Sequence, residues 1–224
     1  MSLGFQERRK DGSLPGNAIA SDRVVLRALT PDDIPALYDY HSRASVHRYL
    51  FSNVPDEASF RRQVMKDGWD SPKLEVDNDV LRLGVIRREG EVLVGDVMLR
   101  LLSVQHRRVE LGWIIHPEYQ GHGYATEAAH LLIHYAFEIR GMHRVVARID
   151  SRNLASRKVI ERLGMTHESH LRANLWVHGE WTDEDDFAML ESEWRGIDRI
   201  LCVGRPHPMT RDPFAFGARN SSTA

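Results

Sequence analysis

Two glycines, Gly121 and Gly123, punctuate the stretch HPEYQGHGYAT at residues 116–126. The run before it, RVELGWII at 108–115, is apolar and β-branched, and a helical period begins at Tyr124. A strand that passes through a glycine loop into a helix N-terminus makes an anion site, because the first-turn N–H groups have no partners within the helix and its dipole is positive there. Phosphate is the ligand such a place suits. Glycine lets backbone approach a ligand that a Cβ would obstruct, and Ala125 keeps the first helical turn low. Spacing excludes two familiar phosphate loops: no lysine follows the second glycine as in G-x-x-x-x-G-K-[ST], and G-x-G-x-x-G is not completed. His122, inside the loop, either touches phosphate or is simply exposed.

Other residues could carry chemistry. Asn153 stands where a helix N-cap would stand and Ser156 three residues later, so each serves a cap, a ligand, or both. Glu110, on the strand before the glycine loop, is a candidate base or an ion-paired strand residue. His130 and His134 lie one helical turn apart, but the H-E-x-x-H pattern lacks its glutamate and no third ligand is suitably spaced, so no metal is expected. The acidic run Asp183 to Asp186 reads as a solvated hairpin turn; a functional role would be to draw a cationic acceptor. Trp176 and Trp181 flank it as groove lining or as packing. The single cysteine, Cys202, has no disulfide partner within the chain and no nucleophile context.

The elements that must position these residues follow from pattern. VVLRAL at 24–29 is a strand, and Thr30-Pro31-Asp32-Asp33 starts a helix with an N-cap, a first-turn proline and a capping-box acid. A second helix is expected over about 55–67, ending near Gly68. Residues 80–88 and 91–102 read as a hairpin about Glu89-Gly90, and 108–115 as a third adjacent strand. From Tyr124 the small residues Ala125, Ala128, Ala129 and Ala136, with Leu132, mark a helix with a close-packing face, stopped by Gly141. A strand at 143–150, a helix at 153–163 closed by Gly164, and two final strands, 165–172 and 185–190, complete a mixed sheet with helices on its faces. With 224 residues, 42% of them hydrophobic, the chain suits one core. Its 30 Lys and Arg against 32 Asp and Glu lack the basic excess of a nucleic-acid binder. Neither a membrane-spanning run nor a secretory signal is visible, so the expectation is a cytoplasmic protein with no membrane or nucleic-acid partner.

The segment VELGWIIHPEYQGHGYATEAAHLLIHYAFE, with its Q-x-x-G-x-G/A spacing, resembles the acyl-coenzyme A core of the GNAT superfamily of acetyltransferases. RIDSRNLASRKVIERLGM and GEWTDEDDFAML follow in the order and distance of the ribosomal-protein N-terminal acetyltransferase (Rim-type) branch, and LTPDDIPALY precedes them, so the likeness spans roughly residues 22–192. It implies the α/β GNAT fold: a mixed, mostly antiparallel sheet of six to seven strands, splayed in the middle, with helices on both faces. The implied organisation is a flexible extension at 1–20, the acetyltransferase domain at 21–195 and a tail at 196–224. The implied co-substrate is acetyl-CoA. Backbone groups of Ile114 and Ile115 would flank its pantetheine arm and acetyl carbonyl, and Gln120, Gly121, His122, Gly123, Tyr124, Ala125 and Thr126 would hold its pyrophosphate. Asn153 would bond the arm or the acceptor, Ser156 would protonate the leaving sulfur, and Glu110 would serve as the base, through water. A homodimer is compatible with the branch.

Chemistry narrows the acceptor. A thiol of pKa about 8.5 leaves readily, so a weak acid such as Ser156 suffices. Neutralising an α-amine of pKa about 7.8 at pH 7 costs roughly 1 kcal/mol, against about 4–5 kcal/mol for a lysine near 10.4. No glutamate occupies 171–179, where some relatives of the branch carry one, and Ile160 stands where other branches place a tyrosine acid. A chain poor in candidate bases is therefore expected to acetylate a protein or peptide N-terminal α-amine by direct attack in a ternary complex. The alternatives are a small polycationic amine, such as a polyamine or aminoglycoside, and a non-catalytic acyl-CoA-binding module.

Overall fold

Arg27, Thr30 and Asp33 show how the sequence closes its first turn. In the computed structural model, which describes residues 18–66 and 74–197, Asp33 Oδ2 accepts the Thr30 N–H at 2.7 Å and its hydroxyl at 3.0 Å. Arg27 grips both Asp33 oxygens at 2.7 and 2.8 Å. Burial opposes charge on Asp33, yet Arg27 and the Thr30 donors hold its carboxyl below the ordinary aspartate value. The turn at Pro31–Asp33 leads into α1 (Ile34–His41), α2 (Ala44–His47) and α3 (Glu57–Lys66). The sequence anticipates α3 within a residue or two at each end, whereas α2 is too short to leave a period.

The strands are β1 (Ala18–Ala20), β2 (Val24–Arg27), β3 (Val80–Arg87), β4 (Val92–Ser103), β5 (Arg108–Ile115), β6 (Arg144–Asp150), β7 (Thr166–Val177) and β8 (Glu180–Leu190). They form one sheet in the order β1-β2-β3-β4-β5-β6-β8-β7. That makes eight strands rather than six or seven. The additional strand comes from residues expected to belong to a loose N-terminal extension: Ala18, Ile19 and Ala20 pair with Arg27, Leu26 and Val25. A three-residue strand is below what alternation can reveal, and it forms because β2 offers it an open edge.

A second correction concerns the acidic run. Asp183 to Asp186 are not in a turn; they lie within β8, and the turn falls at His178-Gly179, between the paired residues Val177 and Glu180. Glu184 and Asp185 are buried. Asn174 donates to Glu184 at 2.7 Å, and Arg157 pairs with Asp185. Charge was mistaken for solvent exposure because the compensating partners lie far away in sequence.

Helices cover both faces. On one, α4 (Tyr124–His134), its π-helical continuation Tyr135–Ile139 and α5 (Leu154–Leu163) pack on the sheet, with Ala128, Ala129, Leu131 and Leu132 buried together with Trp194 from α6 (Glu191–Ile197). His130 and His134 pack against Trp194, one ring tilted with centroids 4.9 Å apart and the other edge-on at 6.2 Å. On the other face, Ile34, Leu37 and Tyr40 of α1 and Phe60 and Val64 of α3 pack on Val25, Ile86 and Leu93. Cys202, Gly68 and the 198–224 segment lie outside the described residues.

Candidate functional site

Every neighbouring pair in the sheet is antiparallel except β5 with β6, which run parallel and pair only at Arg108–Glu110 against Arg144–Val146. Beyond Glu110 the strands part, so Trp113, Ile114 and Ile115 border a gap. Alternation decides which backbone groups face it. His116 N–H donates to Val94 O at 2.9 Å, toward β4, and Ile114, two residues earlier, points the same way opposite Asp96. The groups turned to the gap are those of Trp113 and Ile115. Of the expected pair, Ile115 is turned to the gap; Ile114 borders it, but its backbone polar groups belong to the β4 ladder. Gly95 lets β4 come this close: a Cβ there would stand 2.3 Å from Ile114 O and 3.0 Å from Ile115 Cα.

The glycine loop is tied to the strand end by Gln120, whose Nε2 donates to Ile115 O at 3.0 Å. Gly121 and Gly123 have φ of 80° and 83°, a left-handed conformation that costs other residues roughly 1–2 kcal/mol. The expected reason for these glycines was close ligand approach, but space is not the constraint. A Cβ on Gly121 would meet nothing within 4 Å and one on Gly123 only the Arg23 guanidinium at 3.5 Å. Gly123 is the N-cap of α4 and makes no side-chain cap, so the first-turn N–H groups of Tyr124, Ala125 and Thr126 are left for a ligand. The Thr126 hydroxyl is buried without a hydrogen-bond partner.

A cavity of about 550 Å³ joins these parts. One end is bounded by Ser45, Val46, Tyr49 and Leu50; its wall is Trp113, Ile114 and Ile115; its middle is Tyr119 to Gly121 and Gly123 to Thr126; and α5 closes it with Asn153, Ser156, Lys158, Val159 and Arg162. Every expected site residue lines it except Glu110 and His122. No carboxylate is among its lining residues, whereas Arg152, Lys158 and Arg162 are. Arg152 is bound to Asp150 and Glu180, so an unpartnered hydroxyl, a bare helix N-terminus and the cations Lys158 and Arg162 are what suit a phosphorylated ligand reaching from the loop into the gap.

Asn153 accepts the Ser156 N–H at 3.0 Å, so it is the cap of α5 and a wall of the cavity at once. Glu110 lies at the last paired position of β5 and β6, outside the cavity. Arg148 holds it with Nε at 3.1 Å and Nη2 at 2.9 Å, and Arg100 lies at 3.8 Å. His122 is exposed and stacks on Tyr124, and its Nδ1 donates to Gln120 O at 2.9 Å. Trp176 and Trp181 face each other across the final hairpin, 61% exposed each. Sequence reading missed Gly95 and Trp113, which depend on register, and the α2 segment, which is too short to show a period. It also missed Lys158 and Arg162, whose i,i+4 spacing on one face of α5 was a usable signal.

Residues 23–166 match the acetyltransferase (GNAT) domain family. The chain belongs to the GNAT acetyltransferases. It is 30% identical over 176 residues to the uncharacterised N-acetyltransferase YnaD of Bacillus subtilis (strain 168), covering 79% of this chain and 98% of that one. It is 31% identical over 158 residues to the spermidine N(1)-acetyltransferase of Escherichia coli (strain K12), covering 70% of this chain and 81% of the other. Among solved structures, a GNAT-family acetyltransferase from Bacillus anthracis superposes with a TM-score of 0.70 at 29% identity, over 79% of this chain and 99% of that one. The chain is thus an acetyl-CoA-dependent N-acetyltransferase of the GNAT fold. No described helix is long and apolar enough to cross a membrane.

Proposed function

We propose that this acetyltransferase acts on the α-amine of a protein or peptide N-terminus, the acceptor of the Rim-type branch, by direct attack within a ternary complex. The observation that carries the reading is the lining of the cavity: cations at the coenzyme end, neutral residues at the α2 end, and no carboxylate anywhere along it. A site without a base suits an amine that is already partly neutral. At pH 7 an α-amine needs about 1 kcal/mol to lose its proton and a lysine about 4–5 kcal/mol. The buried carboxylates of β8 do not supply the lack, since Glu184 and Asp185 have Asn174, Arg148 and Arg157 as partners, and neither Glu180 nor Asp183 lines the cavity.

In this reading acetyl-CoA supplies an activated acetyl thioester, and the chain's residues orient it. Loop N–H groups from Gly121 to Thr126 and the Thr126 hydroxyl hold the pyrophosphate, while Gln120 keeps the loop fastened to β5. Trp113 and Ile115 bond the pantetheine arm as a neighbouring strand would, and the Ile115 N–H faces the charge that develops on the acetyl oxygen. Asn153 fixes the arm from α5, and Ser156 donates the proton that the departing sulfur takes. Glu110 lies outside the cavity, so its part is reduced to accepting a proton relayed by water.

A polyamine acceptor is the second reading, favoured by the 31% identity with a spermidine acetyltransferase. The test is acetyl-CoA-dependent thiol release with free α-amine peptides, α-blocked lysine peptides, spermidine and an aminoglycoside. Release confined to α-amine peptides is the expected result. Preferential turnover of spermidine, with a KM that climbs steeply with salt, would replace the proposal with the polyamine reading.

A further inference from the structure

The turn of the last hairpin breaks a local rule. His178 and Gly179 form a two-residue loop with φ of 54° and 81° between the paired residues Val177 and Glu180. Positive φ at both central positions is the requirement of a type I′ hairpin turn, and asparagine or glycine is the usual first residue. Histidine there carries a conformational cost, and its imidazole reaches outside the hairpin. Nε2 lies 2.9 Å from His47 O and 3.2 Å from Leu50 O. Carbonyl oxygens only accept, so Nε2 carries the proton and donates to both.

These carbonyls belong to the segment that bounds the α2 end of the cavity, where Ser45, Val46, Tyr49 and Leu50 face inward. The segment is braced from beneath: the buried His47 ring lies against His41 O at 2.8 Å and Ser52 O at 3.1 Å, and Leu50 N–H donates to His47 O at 3.0 Å. On the other side of the turn, Glu180 accepts from Arg152 at 2.8 Å, and Arg152 lines the cavity beside Asn153. Residues 178–180 therefore fasten to both lips of one opening, the α2 lip through His178 and the α5 lip through Glu180.

We propose that the tip of the β7–β8 hairpin is a strap across the acceptor mouth and that His178 is a positioning residue for the acceptor, holding Tyr49 and Leu50 as the wall the amine's carrier packs against. The inference rests on reading the α2 end of the cavity as the acceptor end. It does not depend on which amine enters. The His178 latch bonds only His47 and Leu50 carbonyls, whereas the coenzyme contacts at 113–126 and 153–162 belong to other elements, so loss of the latch should read in acceptor KM and not in coenzyme affinity.

Two substitutions separate the latch from the turn. His178→Asn keeps a residue that tolerates positive φ but withdraws the donor, because its amide is too short to reach the carbonyls. His178→Gln strains the turn but returns a donor near the place of Nε2. Thiol-release kinetics should show His178→Asn raising acceptor KM about three- to tenfold, the effect of one lost hydrogen-bond site, with kcat and CoA affinity unchanged. Amide exchange at residues 49–52 should quicken in the free enzyme, and His178→Gln should recover both readouts in part. A wild-type KM in His178→Asn, or equal losses of CoA and acceptor binding, would overturn the strap. So would a Gln variant worse than Asn, which would make His178 only a turn residue. If spermidine proves to be the acceptor, the α-amine reading falls while the same KM comparison, run on spermidine, decides the strap. If no amine is turned over, unchanged exchange at 49–52 in His178→Asn overturns it.

Discussion

Thr126 is the third residue of α4 and brings an aliphatic hydroxyl to the end of the glycine loop. That hydroxyl is buried without a protein partner, a state that costs free energy until something accepts its hydrogen or fills its lone pairs. Replacing it with valine keeps the shape and removes the polar atom. Thr126→Val should therefore weaken CoA binding by about three- to tenfold, as one lost hydrogen bond to a charged group would, without lowering the melting temperature. Calorimetric titration with CoA, set beside a thermal melt, reads both. A variant that binds CoA as wild type would remove Thr126 from the pyrophosphate site. Capping residues are legible at this scale because the demand is local: a cap was one of the two roles open to Asn153, and it caps α5. For Glu110 the ion-paired alternative is the one observed, but its partners Arg148 and Arg100 reach it from neighbouring strands and leave no local signal.

At the scale of elements, the gap between β5 and β6 exists because their pairing stops at Glu110 and Val146, and its far wall is straightened by β4. Gly95 is the point of contact. A methyl group 2.3 Å from Ile114 O cannot be accommodated, so Gly95→Ala must push β4 off β5 or tilt Ile114 and Ile115 into the gap. Overpacking of this kind costs about 1–3 kcal/mol. The melting temperature should fall, and kcat/KM for acetyl-CoA should drop about tenfold or more because Ile115 shifts against the bound arm. Activity equal to wild type at a lowered melting temperature would mean the strand relaxes away from the site. The succession of elements, the β3–β5 meander and the small-residue face of α4 were legible from periodicity, and the glycine loop from composition. Gly95, β1 and the buried carboxylates of β8 were not, for one shared reason. Register is a relation between strands, and nothing in the neighbouring residues of one strand announces which residue of another will stand opposite.

The two helical layers are joined to the sheet unequally. On the α4 side a broad apolar contact carries two ionic ties at its margins, Glu127 with Arg23 and Arg157 with Asp185, but on the α1 side the contact centres on Asp96, fully buried on β4 directly opposite Ile114. Tyr40 OH donates to Asp96 at 2.7 Å, His41 Nε2 lies at 2.9 Å, and Arg82 pairs with its second oxygen. Burial alone would favour the neutral acid, but His41 and Arg82 outweigh it and hold the carboxyl far below the ordinary aspartate value. Asp96→Asn removes the carboxylate charge that faces Arg82 and His41, a loss of about 3–5 kcal/mol for a broken buried pair. The pH dependence has a definite sign. A depressed folded-state pKa means that the unfolded chain binds the proton more readily, so the contribution of Asp96 is complete above about pH 4 and is lost as pH falls further. Urea unfolding at a series of pH values should show wild type well above Asp96→Asn at pH 7 and the gap closing from about pH 4 downward. A gap that stayed constant to pH 2 would mean that the charge of Asp96 contributes nothing and that its role is shape. Because Asp96 and Ile114 are cross-strand partners, a closing gap would also tie the anchorage of α1, and with it the α2 lip of the cavity, to the strand that carries the coenzyme wall.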